Sequence, residues 1–187
     1  LEAGAASIVV RETELEKTLE EIGKKPALVI TDSQAFGKVS KIVPEDIKLT
    51  SFSILFARYK GDLEEEVRGV KALEHLEEGA KILIAEGCTH HRQCDDIGTV
   101  KIPRWLKQYT GKDFDIHTSS EDLDTYDLVI HCGGCTLNRR EMKNRIARVK
   151  DEGVPIVNYG IFIAATQGIL KRTLEPFEEA SRILNEI

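Results

Sequence analysis

Short apolar runs alternate with amphipathic stretches along the whole chain of 187 residues. This alternation limits the fold more than any other feature. Strands separated by helical crossovers pair in parallel, and the crossovers lay helices on the sheet faces. SIVVRE (7–12) predicts a first strand. Thr13 and Glu16 have the spacing of a capping box for a helix with Leu15, Leu19 and Ile22 on one face. PALVITDS (26–33) predicts a second strand, ending in the helix starters Asp32 and Ser33. Phe36, Val39 and Val43 follow at helical spacing until Pro44 stops them. LTSFSILFA (49–57) predicts a third strand. A long helix over 61–78 follows, striped by Leu63, Val67, Val70, Leu73 and Leu76.

The pattern repeats beyond Gly79. KILIAEG (81–87), FDIHTS (114–119), DLVIHC (127–132) and PIVNYG (155–160) predict strands. Between and after them come a helix opened by Pro103, a helix striped by Met142, Ile146 and Val149, and a last helix opened by Pro176. The expected fold is α/β, with two small parallel-sheet units carrying helices on both faces. The expected division is 1–65 and 66–187. The first unit reads as incomplete at its N-terminus, as though upstream sequence were missing. Its open sheet edge predicts a homodimer formed through that edge. Phe52, Phe56 and Tyr59 are candidates for the dimer seam, with an ordinary intramolecular core as the equal alternative.

A net charge of −6 argues against nucleic acid as a partner, because phosphate binding needs a clustered positive field. No apolar run approaches bilayer length, so no membrane association is expected. The first residues lack the basic start and apolar core of a signal peptide, which predicts a cytoplasmic protein. The 4 cysteines are clustered rather than spread as a disulfide framework. That clustering reads as metal or redox chemistry.

Cys88 and Cys132 each stand one step past an apolar strand, and Cys135 lies in the turn before the next helix. Ligands of open parallel sheets bind beyond the carboxyl ends of the strands. If the two strands are parallel neighbours, Cys88 and Cys132 emerge on one edge. Gly133 and Gly134 let backbone approach closely, and a helix start favours an anionic ligand. His90, His91, His131, Asp95, Asp96 and Cys94 are further donors nearby. Cys88 and His90 with Cys132 and Cys135 would make a structural zinc set. Three thiolates with one weaker ligand would hold a cubane iron–sulfur cluster. Cys-X-X-Cys between strand and helix is also the placement of a redox dithiol, although that chemistry needs neither Cys88 nor His131. Unrelated buried cysteines are the bland alternative.

The motif Cys88-Thr89-His90, a gap, then His131-Cys132-Gly133-Gly134-Cys135 resembles that of the FeFe-hydrogenase maturation GTPase family HydF. ITDSQAF (30–36), LTSFSILFARYKGDLE (49–64), DDIGTVKIPRWLKQYTGK (95–112) and LNRREM (137–142) are similar to the family as well. The resemblance implies a dimerisation domain followed by a cluster-binding domain. It implies a 4Fe–4S cluster on Cys88, Cys132 and Cys135, with a labile fourth position for which His90, His131 and Asp95 are candidates. It implies a scaffold or carrier that delivers a di-iron subcluster to apo FeFe-hydrogenase, supplied by two radical-SAM maturases. No Gly-X-X-X-X-Gly-Lys-Ser/Thr phosphate loop is present, so GTP hydrolysis is not assigned to these residues, nor is any catalytic residue. The 40 residues between His90 and His131 are fewer than is usual in the family. A zinc- or cluster-dependent enzyme, binding substrate at the open position, is the alternative function.

Other residues carry weaker signals. Cys94 is read as incidental. Arg139 and Arg140 open a basic helix. Such a face is ordinarily just solvated, although it would also attract an anionic precursor or an acidic hydrogenase surface. Trp105, Tyr109 and Phe114 are expected in the core, and His75 and His117 in structural or surface positions.

Overall fold

The hydroxyl of Ser51 ends a strand and starts a helix in one step, by accepting from the Ile54 N–H. In the computed structural model, which describes residues 4–86, 96–119 and 122–186, strand β2 is therefore only Leu49–Ser51. Phe52–Lys60 forms helix α3 in place of the strand expected to continue to residue 57. An apolar run suits a buried strand or a buried helix equally, and the cap decides between them. Strand β1 (Val29–Thr31) pairs with β2 in parallel, Val29 opposite Leu49.

Residues 7–12 form no strand. Ile8 is 59% and Val9 94% exposed, and among the described residues no strand pairs with the run. Helix α1 (Leu15–Glu21) begins without a side-chain cap, so the expected capping box is not made. Helix α2 (Phe36–Ile42) buries Phe36 and Val39. The long helix expected over 61–78 is broken into α4 (Leu63–Arg68), a 3-10 turn (Gly69–Lys71) and α5 (Ala72–His75). The turn presses on a neighbouring strand: a Cβ on Gly69 would lie 2.1 Å from the Ile156 carbonyl oxygen.

The second sheet has four parallel strands in the order β4-β3-β5-β6. They are β3 (Lys81–Ala85), β4 (Asp115–His117), β5 (Leu128–His131) and β6 (Ile156–Asn158). Alternation along each strand divides its side chains between two layers. Leu83, Val129 and Ile156 face helix α7 (Arg139–Asp151), packing with Met142, Ile146 and Val149. Ile82, Ile84, Leu128, Ile130 and Val157 face the other way. There they meet Ile102 and Leu106 of α6 (Ile102–Thr110) and Ile161 and Phe162 of α8 (Tyr159–Thr166). The α/β class and the helices on both faces follow the sequence.

The larger core also takes in Phe36, Leu49 and Ile54 from the first sheet unit, so the two sheets share one apolar interior. The chain closes with α9 (Leu170–Leu174) and α10 (Glu178–Glu186). From α9, buried Arg172 reaches back to the end of α2, donating to the carbonyls of Ser40 (2.9 Å), Val43 (2.7 Å) and Pro44 (2.7 Å). Trp105 and Phe114 pack against the core as expected, but Tyr109 is exposed because it lies on the outer side of α6. His75 and His117 are at the surface, His117 bonded to Asp115 and Tyr126.

Candidate metal centre

β3 and β5 are parallel neighbours, with Ala85 opposite His131. The chain leaves both at the same carboxyl edge, where the Cys132 N–H donates to the Ala85 carbonyl at 3.0 Å. Cys132 is partly buried against the core and Cys135 is exposed; neither forms a disulfide. Between them Gly134 adopts φ +57°, a left-handed conformation open to glycine. A Cβ there would also lie 2.1 Å from Met142 Cε. The loop ends where the Asn138 side chain caps α7 by accepting from the Glu141 N–H at 2.9 Å.

Two charged residues far away in the chain hold this motif. Lys60, at the end of α3, is 6% exposed. Its Nζ donates to the carbonyls of Gly134 (2.5 Å), Leu137 (2.9 Å) and Cys135 (3.3 Å). Glu66 of α4 is fully buried, and its Oε1 lies 3.4 Å from His131 Nε2. Ser53 of α3 stands beside Gly133, whose Cβ would come within 3.2 Å of its hydroxyl. The Ser53 carbonyl accepts from Asn158 Nδ2 of β6. A cleft of about 340 Å³ opens between α7 and the sheet, with His131 and Cys132 among its lining and Arg145 and Arg148 on the α7 side.

Sequence reasoning missed Lys60, Ser53 and Glu66. Glu66 alone carried a signal, since it stands three residues after Leu63 on the apolar side of its helix. Cys88, His90 and Asp95, with His91 and Cys94, lie outside the described residues. Among the described residues no three His, Cys, Asp or Glu side chains gather as a metal site. Asp96 is committed to a turn, its carboxylate accepting from the Thr99 N–H and hydroxyl. Arg139 and Arg140 are exposed at the start of α7.

Residues 1–61 match the family model of the hydrogen maturase F dimerization domain, and residues 64–176 that of the hydrogen maturase F tetramerization domain. The chain belongs to the hydrogen maturase F family. No curated protein matches it. Membership gives this hydrogen maturase F chain a role in hydrogenase maturation, and both matched domains are described by self-association. The boundary between the matches falls at residues 62–63, beside Lys60 and Glu66. No helix among the described residues is long and apolar enough to cross a membrane.

Proposed function

We propose that this chain is the cluster-carrying part of a hydrogen maturase F, holding a 4Fe–4S cluster on Cys88, Cys132 and Cys135. The observation that carries the reading is the parallel pairing of β3 with β5. Cys88 follows β3 by three residues in sequence and Cys132 follows β5 by one, and the carboxyl ends of those two strands share one edge. The donors at that edge suit the group. Two reduced thiols stand in a loop of small residues, one partly buried and one open to an incoming partner. When bound, a cluster with only three thiolates supplies an iron whose fourth ligand exchanges.

The chain's own residues then act as scaffold. They hold the thiolates and leave the Cys135 side exposed, where a di-iron unit is received and passed to apo FeFe-hydrogenase. His90, His131 and Asp95 remain the candidates for the fourth position. As a ligand His131 would use Nδ1, since Nε2 faces Glu66. Radical-SAM maturases are the source of the di-iron unit, a homodimer is the working form, and the setting is cytoplasmic. GTP would act on a domain outside these residues.

Anaerobic reconstitution tests the proposal. Wild-type protein should turn brown with about four iron and four sulfide per chain. Cys88→Ser, Cys132→Ser and Cys135→Ser should each lose most of that iron. Colourless protein holding a single zinc would overturn the cluster reading and favour an enzyme with a zinc-bound substrate.

A further inference from the structure

We propose that Lys60 is a positioning residue for the cysteine loop, turning its peptide groups and setting the charge that the thiolates meet. The inference rests on the cluster reading above and goes beyond it, because Lys60 lies outside the cysteine motif and 74 residues before Gly134.

A lysine ammonium carries three N–H donors, and burying it is costly unless they are satisfied. Lys60 meets that demand with three carbonyls from four consecutive residues, those of Gly134, Cys135 and Leu137. The Phe56 ring, 4.6 Å from Nζ, supports the same charge from α3 itself. In a trans peptide the C=O and the following N–H point in opposite directions, and no cis peptide occurs among the described residues. Drawing those carbonyls to one point therefore turns the N–H groups of Cys135, Thr136 and Asn138 away from the ammonium. The loop gains a fixed set of outward donors and a buried positive charge 3.3 Å from the carbonyl of Cys135. Both favour an anionic occupant, and more so in its more negative, reduced state. Residue 60 lies in the segment that matches the dimerization domain and the loop in the segment that matches the tetramerization domain, so these bonds tie the two matched segments together.

The test uses the whole chain with Lys60→Met, which removes donor and charge, and Lys60→Gln, which keeps a donor and removes the charge. In metal-free protein, hydrogen exchange of the peptide covering 132–138 should accelerate about tenfold in Lys60→Met and less in Lys60→Gln. After reconstitution, both variants should have a midpoint potential more negative than wild type in an EPR-monitored titration, because both lack the charge. Wild-type exchange together with an unshifted potential would overturn the proposal. Should Lys60→Met fail to fold, Lys60→Gln decides alone: a negative shift supports the role and an unchanged potential refutes it. Should wild-type protein take up no cluster, the cluster reading fails, and the exchange comparison still decides whether Lys60 positions the loop.

Discussion

Glu66 Oε1 lies 3.4 Å from His131 Nε2; the Glu66 side chain is sealed from solvent and that of His131 is nearly so, at 9% exposed. Among the described residues, neither carboxylate oxygen of Glu66, nor His131 Nε2, has a hydrogen-bond partner. His131 stands one residue before Cys132, and Gly61 leaves space for Glu66: a Cβ there would come within 2.8 Å of Glu66 Oε1. A buried carboxyl group is costly here without a polar neighbour, and the His131 ring is the one the fold sets beside it.

His131→Ala should therefore destabilise the metal-free protein by about 3 kcal/mol, because it strands Glu66 without its neighbour. Glu66→Gln introduced together with His131→Ala should recover more than half of that loss, since a neutral amide is cheaper to bury. Urea unfolding of the three proteins checks both statements. A His131→Ala protein as stable as wild type would show that the two groups are not coupled.

Gly69 tests the break in the helical segment. Its φ of −60° is helical, so alanine there would normally help by roughly 1 kcal/mol. The Ile156 carbonyl oxygen stands 2.1 Å from the Cβ that alanine would add, and this obstacle is backbone. Gly69→Ala should instead cost about 2–3 kcal/mol, as overpacking does. Gly79→Ala provides a control, because it meets no atom within 4 Å and suffers only from its φ of +78°. Denaturation midpoints should fall much further for Gly69→Ala than for Gly79→Ala.

Arg172 should behave as an anchor between α9 and the end of α2. Arg172→Met removes the guanidinium donor from the Ser40, Val43 and Pro44 carbonyls, of which Pro44 keeps the Ile47 N–H. The expected loss is about 3 kcal/mol in chemical denaturation, from two unmet acceptors rather than one lost ion pair. Arg172→Lys should recover only a minor part, because a single ammonium cannot reproduce a planar fork of donors. Full rescue by lysine would mean that charge alone matters there.

Much of this molecule was legible in the residue pattern. The strands at 81–85, 115–117, 128–131 and 156–158 fall inside the runs expected for them; all but the edge strand 115–117 are mostly apolar, which suits burial on both faces of a covered parallel sheet. The helix striped by Met142, Ile146 and Val149 was equally plain, since its period is helical and its other face is charged. The pairing of β3 with β5 met the condition on which the shared edge for Cys88 and Cys132 depended. Residues 7–12 and 52–57 misled for one reason. Local apolar pattern states a preference for burial but does not name the surface that provides it.

What the sequence by itself determined is the α/β alternation and the arrival of cysteines at strand ends, because both follow from local periodicity and from residue type. Tertiary structure alone decided what holds those cysteines. Lys60 reads locally as an ordinary charge between two elements and Glu66 shows only its place on the apolar side of a helix; the packing of α3 and α4 against the second sheet is what buries them. An ammonium or carboxyl group enclosed in that way must find partners. Those within reach are the loop carbonyls 74 to 77 residues further along for Lys60, and the His131 ring for Glu66.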